Sequence, residues 1–177
     1  MTLRADLHCH SKFSDQPEEW LLRRLGAHES YTEPRTLYDL ARRRGMDLVT
    51  ITDHNDIRGA LEIAHLPGAF VSAEITATFP EDGCRVHILA YGITEDQFDE
   101  TQRLQENIYD LQAFLWREAI AHSVAHPLHR VNGKLRLWHL ERLLLLFPCF
   151  EVLNGSRQHG KGPHGMGPVP ADRRPAE

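Results

Sequence analysis

The sequence predicts an α/β fold with a mainly parallel sheet or barrel, and three observations point there. Short β-rich runs alternate with helical segments along most of the chain, the order of successive βαβ units. The segment Glu95 to Ile120 places Leu104, Ile108, Leu111 and Leu115 on one apolar stripe, the mark of a helix packed on a core. Histidines and carboxylates recur at the ends of the predicted strands, on the rim where such folds carry their sites.

Arg4 to His8 reads as the first strand. Residues 11–33 form a long polar connection with a short helix at Glu18–Leu25. Pro34 fits the first position of a helix that runs to Arg44, and Gly45 fits its C-terminal cap. Asp47 to Thr52 is the second strand, and Gly59–His65 a short helix. Phe70–Phe79 and Arg85–Tyr91 are strands around the turn Pro80-Glu81-Asp82-Gly83. After the long helix come a short strand at Ser123–Ala125, a helix at Leu137–Phe147 and a strand at Cys149–Leu153. The run Leu143–Phe147, stopped by Pro148, reads as a buried helix end. The last 23 residues, from Gly155, hold five glycines and four prolines, and predict a disordered tail. The division is one domain over 1–157 and a tail over 158–177.

A chain of 177 residues can bury a real core. Its net charge of -5 argues against binding duplex nucleic acid through a basic surface. The N-terminus has no apolar h-region, and no apolar run reaches the roughly 18 residues of a membrane span. Cys9, Cys84 and Cys149 follow no disulfide spacing, so reduced, buried thiols in a cytoplasmic protein are expected.

The chemistry gathers in five places. His8 and His10 form a His-x-His; on a strand both rings point one way and Cys9 the other. Asp15 follows in the next loop. Asp53 and His54 end the second strand, with Asp53 read as a supporting or capping group. Glu74 sits inside an apolar strand, where an unpaired charge is costly, and His87 stands on the next strand. His126 closes Val124-Ala125-His126-Pro127. Such mixed imidazole and carboxylate donors suit Zn, Mn or Fe, and Glu74 is the natural bridge between two ions. Arg130 and Lys134 are candidates to bind a substrate phosphate. The other seven histidines, including His122 and His139, read as structural or surface residues.

Together these segments resemble the PHP family, the polymerase and histidinol phosphatase domain. Asp-Leu-His-Cys-His-Ser at 6–11 and Ile-Thr-Asp-His-Asn at 51–55 look like its first two motifs. Glu74, His87 in Val-His-Ile-Leu and Ala-His-Pro at 125–127 match the next ligand positions. Glu151-Val152-Leu153-Asn154 resembles the late strand that ends in the family's asparagine. The order is kept from residue 3 to about 157. The long segment from Ser11 to Pro34 is similar to PHP domains joined to glycosyltransferases.

The resemblance implies a distorted (β/α)7 barrel, a TIM-like barrel, with one to three metals at its C-terminal rim. His8, His10 and Glu74 would hold one ion, Glu74, His87 and His126 a second, and Asp15 and His54 would contribute to a third. The implied activity is hydrolysis of phosphate esters by a metal-bound hydroxide, with Glu74, His126 and His54 as the catalytic group. The substrate would be a phosphomonoester, a nucleotide or a short oligonucleotide.

One departure stands out: the late Asp-x-His of the family is missing after Asn154. The only later aspartate is Asp172, followed by Arg173-Arg174. The expectation is a barrel incomplete at its C-terminal end, truncated or frame-shifted near residue 157, with only the Glu74–His87–His126 site complete. Unpaired strand edges would then favour association. Two other functions compete: a non-catalytic PHP module with an interaction role, and a metal-dependent amidohydrolase.

Overall fold

The computed structural model describes residues 2–14 and 30–152, so Asp15, the helix expected at Glu18–Leu25, Leu153, Asn154 and the tail 158–177 lie outside the described residues. The described chain is α/β. Strands β1 (Ala5–Asp6) and β2 (Leu48–Val49) flank helix α1 (Pro34–Arg43). Helix α2 (Arg58–Ile63) leads to β3 (Ser72–Thr78) and β4 (Arg85–Tyr91). Helices α3 (Glu95–Leu104) and α4 (Ile108–Arg117) precede β5 (Ala121–Val124), and α5 (Leu137–Leu146) comes last.

The ladder follows chain order, β1 to β5. β1 and β2 are parallel, Ala5 opposite Leu48. Single parallel bridges carry the ladder on, from Val49 to Ala69 and from His54 to Glu74. β3 pairs with β4 and β4 with β5, both antiparallel. A parallel bridge from Val124 to Phe150 adds the segment after α5. The mainly parallel sheet expected from the sequence is therefore corrected: the regular part, β3-β4-β5, is antiparallel. The connections explain it. One crossover helix returns the chain to its starting edge and gives parallel neighbours. The tight turn at 80–83 allows only a hairpin, and the paired helices α3 and α4 bring the chain back to the end it left, Tyr91 opposite Ala121. The strand expected at Cys149–Leu153 is a single bridge at Phe150.

Alternation along β3 sorts the two faces of the sheet. Ala73, Ile75 and Ala77 join Val86, Ile88 and Ala90 in the main core under α4 and α5, where Ile108, Leu111, Leu115 and Leu143 are buried. Ser72, Glu74, Thr76 and Thr78 occupy the other face, which is polar. A smaller core, Tyr38, Val49, Ile51, Ala60 and Ile63, sits under α1 and α2.

The single helix expected over Glu95–Ile120 is two. Thr94 caps α3 through the backbone N–H of Gln97, with Gln97 returning the bond. The chain breaks at 105–107, where the Gln105 carbonyl accepts from Thr78 N–H on β3 at 2.8 Å. Asn107 then restarts the helix by accepting from Tyr109 N–H. The apolar stripe survives the break: Leu104 packs against the core in which Ile108, Leu111 and Leu115 are buried. Two further readings are corrected. In the run Leu143–Phe147 only Leu143 and Phe147 are buried, whereas Leu144 and Leu145 are 68% and 80% exposed, since a surface helix buries one face. Cys149 is exposed rather than buried.

Candidate metal centre

The centre is built outward from Glu74, which is fully buried in the middle of β3. Its Oε2 lies 3.0 Å from His8 Nε2, 3.2 Å from His10 Nε2 and 3.3 Å from His54 Nδ1. Its Oε1 lies 2.9 Å from both His87 Nδ1 and His126 Nε2. Five imidazoles thus meet one carboxylate, divided between its two oxygens. Ring nitrogens also face each other, His8 and His10 at 3.1 Å, His87 and His126 at 3.4 Å. Pairs of lone-pair nitrogens this close repel unless a proton or a cation lies between them.

Each ring is placed by local structure. Past β1 the chain stays extended, with Thr52 N–H donating to Cys9 O at 2.9 Å. His8 and His10 therefore point inward, while Cys9 packs on the smaller core. The next turn is pinned by Asp53, whose carboxylate accepts from Ser11 N–H and Ser11 Oγ–H, each at 2.6 Å. Asp53 supports the loop carrying His10 and is not among the residues facing Glu74. Gly59 makes room for this pair, since a Cβ there would stand 2.3 Å from Asp53 Oδ2.

His54 is held by its neighbour. Asn55 adopts a φ of 49°, a conformation asparagine tolerates, and its side chain pairs with Thr76 through two 2.9 Å bonds. His87 stands on β4, diagonal to Glu74 in the antiparallel register. His126 has a φ of 25° just before Pro127, a costly backbone that turns its ring toward Glu74. Sequence reasoning missed two supports here, Asn55 and Glu151. The Glu151 carboxylate meets His8 Nδ1 at 3.0 Å and accepts from His126 N–H at 2.7 Å. The available signal was a carboxylate, Glu151, inside the segment read as the late strand.

The electrostatics follow. Burial alone would raise the Glu74 pKa, but hydrogen bonds from His10, His126, His8 and His87 outweigh it and hold the carboxyl well below its usual 4.5. Burial pulls the His8 pKa down, yet Glu151 and Glu74 overcome this and push it up to about 10. Burial lowers the His87 pKa, with His54 and His126 adding to the effect against Glu74. Burial also raises the Asp53 pKa, opposed by Ser11.

Two groups have ligand atoms close enough to share an ion: His8, Glu74 and His126, and His10, His54 and Glu74. The ligand atoms of His8, His10 and Glu74 also lie within 3.2 Å of one another, and those of Glu74, His87 and His126 within 3.4 Å. The cluster is reached from a cleft of about 1220 Å³ lined by His8, His10, His54, His126, Tyr91 and Trp116. A smaller polar cavity of about 180 Å³ opens on its other side at His54, His87 and Arg85. Of the two cations considered for a substrate phosphate, Lys134 bonds the Asp82 carbonyl at 2.6 Å and Arg130 is exposed on the loop after His126. His139 is structural. Its Nδ1 accepts from Arg136 N–H at the start of α5, and its Nε2 faces Asp82.

No family model matches the chain. A stretch of 81 residues is 37% identical to the uncharacterized protein MJ1587 of Methanocaldococcus jannaschii, a match over 43% of this chain and 46% of that protein. The chain thus spans less than half the length of the curated relative it matches. Among solved structures it is similar to an amidohydrolase from Chromobacterium violaceum with bound sulfate and no metal. That match has a TM-score of 0.53 and 15% identity, over 80% of this chain and 72% of that one. A protein provisionally named a metal-dependent phosphoesterase, from Bifidobacterium adolescentis, gives a TM-score of 0.47 and 18% identity, over 82% and 75%. At 15% identity the first likeness is one of fold.

Proposed function

We propose that this chain is a metal-dependent hydrolase of small phosphate esters. The observation that carries the reading is the Glu74 carboxylate with imidazoles on both of its oxygens. The residues fit a pair of divalent ions. His8, His10 and His54 would hold one, His87 and His126 the other, and Glu74 would bridge them. Nitrogen and carboxylate donors of this kind suit Zn, Mn or Fe. Ions held there would lower the pKa of a water and stabilise the charge that develops on a phosphoryl group. The protein's own part is to hold five rings in place against a buried anion and to leave one side of the cluster open to a cleft of small-molecule size. The phosphate preference rests on the motif resemblance, and the net charge of -5 favours small substrates over long nucleic acid.

Amide hydrolysis is the second reading, favoured by the fold likeness to an amidohydrolase. The test begins with metal content by elemental mass spectrometry after dialysis without chelator. Nitrophenyl phosphate mono- and diesters and a nitroanilide are then assayed with added Mn²⁺. Metal uptake with ester hydrolysis that Glu74→Gln removes supports the proposal. Cleavage of the anilide alone favours the second reading. Metal uptake without turnover of either leaves a binding module, and no uptake rejects the metal centre.

A further inference from the structure

Glu151 touches the cluster without facing Glu74. Its strand segment is joined to β5 by Val124 N–H to the Cys149 carbonyl and by Glu151 N–H to the Val124 carbonyl, at 3.0 and 2.8 Å. This places the side chain at the open end of the ladder, 11% exposed, opposite the residues that follow β1. One oxygen faces His8 Nδ1 at 3.0 Å and the other accepts the backbone N–H of His126 at 2.7 Å.

We infer that Glu151 is a positioning residue that sets two ligands of the ion centre from outside it, the ring of His8 and the backbone of His126. The inference rests on the metal-centre reading and deepens it. A carboxylate on Nδ1 keeps the proton on that nitrogen and leaves Nε2 to ligate, the arrangement that outer carboxylates impose on metal-binding histidines. His8 Nε2 is the nitrogen that faces Glu74. At His126 the last ladder bond is Ala125 N–H to the His87 carbonyl, after which the chain turns through a φ of 25°. The second Glu151 oxygen takes the N–H that this turn removes from the ladder. One side chain therefore sets a ring from the β1 end and the backbone of a ring from the β5 end.

The test is calorimetric titration of the full chain with Zn²⁺, and separately with Mn²⁺, for wild type, Glu151→Gln, Glu151→Ala and Glu151→Asp. Alanine should weaken ion binding by about 10–100-fold, the usual cost of an outer-shell partner. Glutamine keeps the shape but has one accepting oxygen, so it should serve either His8 or His126 and show a smaller loss. It also covers the case in which alanine fails to fold. Aspartate should restore part of the affinity. In ¹H–¹⁵N spectra of the zinc-loaded chain the His8 Nδ1 proton should exchange slowly in wild type and fast in the alanine variant. Wild-type affinity in both the alanine and glutamine variants overturns the role of Glu151 alone. A wild-type chain that takes up no ion overturns the metal-centre reading, and this inference with it.

Discussion

His8 and His10 bring their Nε2 atoms to within 3.1 Å of each other, both facing the same oxygen of Glu74. Two residues apart on an extended chain, they share a face by the alternation of a strand. Glu74 is 66 positions from His8, and its arrival between the two rings makes the pair a candidate site.

Glu74→Gln removes the one group common to both donor sets. Metal affinity should fall at both sites by more than the roughly 10–100-fold that an outer-shell loss costs. Equilibrium dialysis against Zn²⁺ checks this, and near-normal uptake would rule out Glu74 as the bridge.

His126→Ala and His54→Ala divide the cluster. Each should lower the bound metal by about one equivalent, and the double variant should lower it by both, because the two rings belong to different groups. Elemental mass spectrometry reads the result. Loss of all metal in either single variant would mean that the two ions bind as one unit.

Gly59→Ala pushes a methyl group to 2.3 Å from Asp53 Oδ2 and 2.6 Å from Ser11 Oγ. The buried Ser11–Asp53 pair must move, at a cost of about 1–3 kcal/mol. Urea unfolding should show that loss, together with weaker binding at the site containing His10. Unchanged stability would mean that the pair relaxes freely.

Acid should unfold the chelated chain through Glu74. Its folded pKa lies below the unfolded value of 4.5, so its contribution is present above 4.5 and is lost as pH falls from there through the folded value. His8 acts with the opposite sign. Its folded pKa of about 10 lies above 6.5, so its contribution is full below 6.5 and lost as pH rises through about 10. Melting temperatures in EDTA should fall at both ends, and the acid fall should shrink in Glu74→Gln. An identical acid fall in that variant would place the titrating group elsewhere.

Much of the fold was legible because its signals are local. The β4 boundaries, the Pro34 start of α1 and the apolar stripe through Leu111 and Leu115 each depend on a few adjacent residues. The break at 105–107 was not legible, because its cause is a carbonyl taken by β3 from outside the helix. Strand direction was misread for a similar reason: alternation of strands and helices does not count how many helices fill each crossover. At the site, His8, His10, His54, Glu74, His87 and His126 could all be named from motifs, and the structure brings these six together. Asp15 lies outside the described residues.

The sequence by itself determined which residue types stand at which strand ends and which way they face, since side-chain direction along an extended chain follows from its period of two. Tertiary structure decided which nitrogen meets which oxygen. It gave each Glu74 oxygen its own set of rings, His8, His10 and His54 on one and His87 and His126 on the other, and drew Glu151 onto His8 from 143 residues away. Those distances depend on how segments far apart in the chain converge on one buried carboxylate, and no local pattern encodes that convergence.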